Sequence, residues 1–213
     1  MLRPSRLIAL ALLGALTYIV FFSVPAAEPD GTAFDPIKVA ALEEAVLRAD
    51  HAKETVGLFL GLAKRLREEH KYTWFRAVDV AFHRTRAMLA FRNARVHYDI
   101  VLPDVERTYI VDRDWRGVDY DTTAAAQAEI EAWMTRRRPE INTPDLVSSL
   151  LAKADGIRFS TSQETLRGAA LERVRALDLR DEGGASPDWS SIRRALTESY
   201  RVRQQVLQRQ RKR

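Results

Sequence analysis

Helix-start signals recur along this sequence, and they constrain its fold more than any other feature. Asp35, Thr143 and Ser186 each stand immediately before a proline. A polar residue that caps a helix, followed by proline at the first helical position, is a characteristic helix start. Behind these signals, apolar residues recur at intervals of three and four, which indicates amphipathic helices. The sequence therefore predicts an all-α fold, with about six or seven helices in one helical-bundle or helical-array domain.

Two long apolar stripes dominate the first half of the domain. Residues 39–69 form one continuous stripe, which predicts a single helix over that range. Gly57 and Gly61 lie on it, and we expect glycine there to serve close packing or a bend. The stripe over 73–93 is broader and predicts the central helix of the domain. The segment 95–102 is apolar but has no partner strand, so we expect a turn or a short helix.

Turn and cap residues divide the second half of the domain into further helices. Asp121 is positioned to cap a helix that ends before Pro139. Thr161 and Glu164 have the spacing of a capping box. Gly156 is expected to end the preceding helix. The expected helical ranges are 103–117, 122–138, 144–156, 161–183 and 187–207.

An uncharged apolar run precedes this domain. It extends over Leu7–Val24, which is 18 residues. A membrane-spanning helix needs about 20 residues, within a range of about 17–25, whereas the core of a signal peptide has about 7–15. The run therefore favours a retained anchor. Val24 and Ala26 leave the alternative of a cleaved signal peptide open, because small residues at these spacings suit a cleavage site.

The expected organisation and location follow from this run. Residues 1–27 are a signal-anchor or signal peptide, 28–34 a linker, 35–207 the helical domain and 208–213 a basic tail. Arg3 and Arg6 precede the apolar run, so the positive-inside rule keeps the N-terminus in the cytoplasm. We therefore expect a single-pass protein of the bacterial inner membrane with its C-terminal domain outside the cytoplasm. A periplasmic or secreted protein is the alternative, if the run is cleaved.

The net charge of +5 comes from the two ends of the chain, and the remainder is mildly acidic. A body of that charge does not favour a nucleic-acid partner. The basic residues at the C-terminus predict either a solubilising end or attraction to anionic lipid headgroups. The residues that would contact a membrane surface are Arg209, Arg211, Lys212 and Arg213. An envelope protein is the other partner that an exported helical domain suggests.

Motifs for catalysis or cofactor binding are missing from the sequence. The chain has no cysteine, which excludes disulfides, thiolate metal sites and a cysteine nucleophile. Its four histidines form no zinc signature, and we expect each on the surface or at a helix cap. No phosphate-binding or dinucleotide-binding loop occurs. The sequence therefore predicts no metal and no cofactor, and it favours a protein that is not an enzyme.

One polar row is the candidate binding site. Arg76, Asp79, His83 and Arg86 follow one another at steps of three, four and three, so they share a helix face. If the row lined a cleft, the two arginines would hold an anion and Asp79 would orient His83. The other interpretation is an ordinary solvent face. The row makes a periplasmic ligand-binding protein or enzyme the alternative function.

Four stretches resemble an uncharacterised bacterial family of N-terminally membrane-anchored, all-helical proteins. They read FDPIKVAALE, YDIVLPD, EIEAWMTRRRPE and RALDLRDEGG, and they begin at residues 34, 98, 129 and 175. The resemblance implies a retained anchor and a helical domain, and it implies no activity or site residues. The function expected from the sequence is thus an exported, membrane-anchored helical protein with a structural or interaction role in the cell envelope.

Overall fold

The computed structural model describes residues 14, 18, 32–94, 97–138 and 140–212. These residues form eight α-helices and one short 3₁₀-helix, with no strand among them. The helices are α1 (Pro36–His51), α2 (Thr55–His70), α3 (Trp74–Asn93), α4 (Leu102–Arg116), α5 (Thr122–Arg136), α6 (Pro144–Phe159), α7 (Gln163–Glu182) and α8 (Trp189–Arg211); the 3₁₀-helix is Tyr98–Val101. The all-α prediction is confirmed.

The anchor prediction falls almost wholly outside the described residues. Of the apolar run, only Gly14 and Tyr18 are described. In the described part of the chain, no helix combines the length and the apolar character that crossing a membrane requires.

The eight helices form a closed ring. Each helix packs mainly against its neighbours in the chain, and α8 also packs against α1, which closes the ring. Short connections make neighbouring helices antiparallel, so the C-terminal ends of α1, α3, α5 and α7 lie at one end of the ring. The C-terminal ends of α2, α4, α6 and α8 lie at the other end.

The predicted first helix is in fact two helices. The apolar stripe over 39–69 is interrupted at residues 52–54, where Lys53 adopts a left-handed conformation with φ 59°. The turn folds α2 back onto α1, so the apolar face of α2 packs against the apolar face of α1. A Cβ at Gly61 would lie 3.0 Å from Cγ2 of Val46, which confirms that this glycine serves close packing. The split brings the number of helices to eight.

Some helix starts are as predicted, and others are displaced. Side chains of Asp35, Asp121 and Thr143 accept hydrogen bonds from backbone N–H groups of the first turn, as the sequence indicated. The capping box is wrong, because Ser162 holds the N-cap of α7 and makes no side-chain cap bond. The N-cap of α8 is Asp188, whose carboxylate accepts from two N–H groups. A carboxylate that reaches two donors satisfies more of the exposed helix start than a hydroxyl does.

Two predictions about helix position and length are also wrong. The broad stripe on α3 does not make it a central helix, because Phe75, Val78 and Phe82 are exposed on its outer face. Its buried side is lined by small residues such as Ala77 and Ala81. Helix α6 continues past Gly156 to Phe159, since that glycine serves a close approach: an added Cβ would lie 3.0 Å from the carbonyl oxygen of Thr161.

Apolar packing follows the circumference of the ring. Five clusters of buried apolar side chains lie between neighbouring helices around the ring. One cluster joins α1, α2, α3 and α4, and another joins α6 and α7. The contacts of α8 with α1 include Ile192 and Leu196. This arrangement stabilises each helix–helix interface separately and leaves the centre of the ring to other side chains.

The basic C-terminus remains helical as far as Arg211, and Lys212 forms the C-cap. Residues 208–212 are exposed, and Arg213 lies outside the described residues. The side chain of Gln210 donates a hydrogen bond to Thr161. The lipid-binding role of this end stays a prediction.

Candidate functional site

A cavity of about 390 Å³ lies at the centre of the ring, and all eight helices line it. Charged side chains are its most prominent feature. Nine arginines line it (Arg65, Arg84, Arg92, Arg136, Arg137, Arg158, Arg173, Arg180 and Arg203), together with seven carboxylates (Glu43, Asp50, Glu69, Asp112, Glu129, Asp155 and Asp181). The cavity thus offers both signs of charge, with an excess of guanidinium groups.

These side chains point inward because they share a helix face with buried apolar residues. Arg65 lies three residues after Leu62 on α2, and both are buried. Arg203 has the same relation to Tyr200 on α8. Residues at this spacing lie on one side of an α-helix. This site was not predicted from the sequence, although charged residues on otherwise apolar stripes are a signal for it.

Glu43 on α1 is one of the best-connected carboxylates of the cavity. It accepts a hydrogen bond of 2.6 Å from Nη2 of Arg173 and another from the hydroxyl of Tyr200. Its Oε1 lies 3.6 Å from Nη1 of Arg65. Burial by itself raises the pKa of the Glu43 carboxyl, but the two guanidinium groups outweigh burial and hold that pKa below its usual value. Glu43 is therefore charged.

A second buried pair lies across the cavity, between α3 and α5. Arg84 donates a hydrogen bond to Glu129, and the hydroxyl of Tyr109 donates to the same carboxylate over 2.8 Å. Burial raises the pKa of Glu129, but Arg84 more than offsets this effect and lowers it. Glu131, two residues along, lies on a different face of α5 and is exposed.

The end of the cavity formed by the C-termini of the even-numbered helices is closed by buried ion pairs. Arg158 binds both carboxylate oxygens of Asp112, over 2.6 and 2.9 Å. Arg203 donates to Glu69 over 2.6 Å. His70 lies between these pairs, and burial lowers its pKa to about 3 against the opposing field of Glu69. The expectation that every histidine is a surface or cap residue is wrong for His70.

The opposite end, formed by the odd-numbered helices, is more open. Asp50 accepts from Arg92 and, over 3.3 Å, from Arg180. Arg136 bridges two carboxylates of α7, among them Asp181, whose side chain is 49% exposed. These pairs join the C-terminal ends of helices. Basic residues at a helix C-terminus also interact favourably with the helix dipole.

Many of the interior ion pairs join helices that are not direct neighbours in the chain. Arg173 reaches Glu43 over 130 residues of sequence, and Arg203 reaches Glu69 over 134. Such pairs span from α7 or α8 back to α1 or α2. They therefore tie the last part of the ring to the first.

Several polar atoms of the residues that line this site have no hydrogen-bond partner among the described residues. They are Nε of Arg65, Arg84 and Arg203 and Oε2 of Glu69, all buried. Nε of Arg65 faces Oε2 of Glu69 at 3.8 Å, which is an ion pair too long for a hydrogen bond. Asp155 also borders the cavity and is half-buried, and its negative charge helps to raise the pKa of Arg173. Buried polar groups without partners are rare and call for a ligand, a water or an ion.

The polar row predicted from the sequence lies elsewhere, away from the cavity. Arg76 stacks on the ring of Trp115, with 4.4 Å between its Cζ and the ring centroid. The other three members contact α4. His83 Nδ1 lies 2.7 Å from Asp104, Arg86 binds both oxygens of the same carboxylate, and Asp79 accepts from Arg107 over 3.2 Å.

Two features of the row follow from this geometry. Its charged groups already have partners on α4, and none of its members lines the central cavity. Its role as a binding site stays a prediction without further support from its position.

The chemistry available in the cavity is recognition by charge and hydrogen bonds. No group of three or more metal-ligating side chains suited to a metal ion occurs within the described residues. Guanidinium groups only donate hydrogen bonds and ionised carboxylates only accept them, so the two sets place opposite demands on a ligand. Comparisons with protein-family models, with curated proteins and with solved structures find no match for this chain.

Proposed function

We propose that the protein is a binding protein that holds a small hydrophilic molecule in the cavity of its helical ring. The observation that carries this proposal is the cavity of about 390 Å³ at the centre of the ring, whose lining contains nine arginines and seven carboxylates. A bound molecule with acceptors and donors would pair with these charged side chains.

The size of the cavity supports the proposal. Small-molecule sites usually measure about 300–1,000 Å³ and enclose most of the ligand surface. At about 390 Å³ the cavity falls in the lower part of that range, so it suits a compact molecule. Access from the end near Asp50 and Asp181 is reasonable, because the ion pairs there are the most exposed of those around the cavity.

The energetics of the interior also favour a binding role over a purely structural one. Buried ion pairs are often no more stabilising than apolar side chains of similar volume, because both charges lose their hydration. A ring that only needed stability would gain as much from an apolar centre, as its helix–helix interfaces already show. A charged centre, which generally adds little stability, is expected of a site with a ligand.

The proposal includes the location expected from the sequence. An N-terminal anchor would hold the ring at the outer surface of the inner membrane, where it would meet small solutes of the envelope. Cleavage of the apolar run would instead release the same ring into the periplasm. Binding in the cavity is expected in either case, since all eight helices of the ring line it.

The test is to ask whether the native protein carries a small molecule. The full chain, purified from its own membranes in mild detergent, would be weighed by native mass spectrometry before and after denaturation, and the released compounds identified. We expect a compound in about molar amounts. Ala154→Met should weaken its retention, because Ala154 lines the cavity and the longer side chain would take up part of its volume. The neighbouring exposed position supplies the control, Lys153→Met.

Thermal unfolding of both variants distinguishes a filled cavity from a misfolded ring. A native protein that carries no compound, together with an unchanged mass on denaturation, would contradict the proposal.

A second candidate function is the interaction role expected from the sequence, and the outer face of α3 supports it. Val78 and Phe82 are exposed there, at 39% and 53%, beside the charged contacts of His83 and Arg86 with α4. An apolar patch rimmed by polar groups is typical of a protein contact. If this face binds an envelope protein, crosslinking in intact cells should capture that protein. Phe82→Glu should abolish the crosslink and leave the ring folded. Unchanged crosslinking of the variant would exclude this face as the contact surface.

A further inference from the structure

We propose that the protein docks one end of its ring on an anionic membrane surface, through the side of that end where α8 finishes and α1 starts. We call this side the basic edge, and its exposed residues are Ile37, Arg209, Arg211 and Lys212. Docking is independent of what the cavity holds. It gives the whole ring an orientation, whereas the sequence predicted only an attraction of the C-terminal residues to lipid.

The described part of the chain enters the ring beside the last turns of α8. Nε2 of Gln204 donates hydrogen bonds of 2.7 Å to the carbonyl oxygens of Thr32 and Phe34. Gln204 comes seven residues before Arg211, which is roughly 10 Å along an α-helix. The entry of the chain and the basic residues of α8 therefore lie on the same side of the same end of the ring.

A retained anchor would bring this end of the ring close to the membrane. Seven residues, 25–31, separate the end of the apolar run at Val24 from Thr32. Even fully extended, a chain of that length reaches at most about 25 Å. The opposite end of the ring is farther away by the length of one helix, which is about 24 Å for the 16 residues of α1.

Helix α8 exposes positive charge beside the entry of the chain. Leu207 is its last buried side chain, and Arg209, Arg211 and Lys212 beyond it are exposed. Each basic residue near an anionic bilayer strengthens attachment by about fivefold. Ile37, in the first turn of α1, is 57% exposed and adds an apolar side chain that can enter the headgroup region.

Two acidic residues near the basic edge already have partners. The carboxylate of Asp35 accepts a hydrogen bond of 2.9 Å from the backbone N–H of Ile37 at the start of α1. Glu164, at the start of the neighbouring α7, has Nη1 of Arg167 within 3.9 Å. Their charges therefore oppose the approach of an anionic surface only weakly.

The far side of the same end has the opposite charge. Four helices separate the basic edge, in either direction round the ring, from the connection between α4 and α5. Asp114, Asp119 and Asp121 are exposed there. An anionic surface attracts the basic edge and repels these carboxylates, so the ring approaches with the basic edge foremost. The more open end of the cavity, near Asp50 and Asp181, then faces away from the membrane.

The test makes use of the absence of cysteine from the chain. A fluorophore is attached to one new cysteine at an exposed position, either Gln208→Cys at the basic edge or Asn93→Cys at the opposite end. The full chain is reconstituted into vesicles of phosphatidylcholine, alone or mixed equally with phosphatidylglycerol, that contain a lipid with a quencher on its headgroup. We expect strong quenching only at position 208 and only in the anionic vesicles.

Salt and matched charge variants separate attraction to lipid from tethering by the anchor. At 1 M salt the Debye length falls to about 3 Å, so the quenching at position 208 should be lost. The edge variant carries Arg209→Gln, Arg211→Gln and Lys212→Gln, and it should dock about a hundredfold more weakly. The control variant loses the same charge at exposed positions nearer the opposite end and should dock like the wild type; it carries Arg138→Gln, Arg175→Gln and Arg194→Gln.

Three results overturn the proposal. Equal quenching at positions 208 and 93 would show that the ring has no preferred orientation. Quenching that does not depend on phosphatidylglycerol, or that the edge and control variants lose equally, would show that the basic edge does not recognise anionic lipid. A full chain that does not associate with the anionic vesicles would exclude the membrane surface as its partner.

Discussion

Replacing the buried His70 should remove a specific pH dependence of stability. The pKa of His70 lies at about 3 in the folded protein, because burial disfavours the imidazolium, whereas an unfolded chain has a histidine pKa of about 6.5. Between these values the unfolded chain binds a proton that the folded ring does not bind. The free energy of unfolding therefore decreases as the pH falls below 6.5, with a slope that approaches about 1.4 kcal/mol for each pH unit.

The size of the effect can be worked out for a convenient range. From pH 8 to pH 5, a histidine with these two pKa values reduces the free energy of unfolding by about 2 kcal/mol. Each buried carboxylate contributes only a small change in that range. Glu69, for example, has a folded pKa well below 4.5, so its contribution changes by only about 0.2 kcal/mol between pH 8 and pH 5 and is lost mainly below pH 4.5.

The assay is equilibrium unfolding in urea at pH 5, 6, 7 and 8, followed by circular dichroism, for the wild type and His70→Gln. We expect the wild type to lose about 2 kcal/mol over this range and the variant to lose most of that dependence, whatever its absolute stability. His51→Gln, at an exposed position, is the control and should keep the wild-type slope. Equal slopes for wild type and His70→Gln would refute the assignment of the effect to this buried imidazole.

Three further substitutions test other parts of the structure, each by urea unfolding. Arg203→Leu should cost about 3–5 kcal/mol because it leaves Glu69 buried and unpaired, and adding Glu69→Leu should recover much of that loss; a double variant as unstable as the single one would contradict this. Gly183→Ala should destabilise by about 1–3 kcal/mol, since its Cβ would lie 2.5 Å from the backbone Cα of Pro187. Thr143→Ala should lose about 1 kcal/mol with the cap of α6, whereas Thr143→Ser should keep it.

Local signals explain why much of the helical structure was predictable. The cap bonds of Asp35, Asp121 and Thr143 involve backbone groups only two or three residues away. Such bonds depend on the nearby sequence and on little else. Where two local signals competed, as at Ser186 and Asp188, the sequence could not choose between them, because both residues suit an N-cap.

The break between α1 and α2 shows where local pattern fails. One apolar stripe crosses it without change, since both helices bury the same kind of face. The turn places Lys53 in a left-handed conformation that its sequence neighbourhood does not require. Packing of Gly61 against Val46 across the turn accompanies that conformation, and such packing exists only once the two helices have met.

The sequence by itself determined that this chain is helical and roughly where the helices begin and end, because caps and periodicity act over a few residues. Only the tertiary structure decided that the helices close into a ring and that arginines and carboxylates meet at its centre. Arg173 finds Glu43 at 130 residues' separation. From the sequence, each of these two residues is interpreted as a solvated charge. Burying either charge costs free energy unless the opposite charge lies beside it, and the two meet only in a cavity that neither helix forms alone.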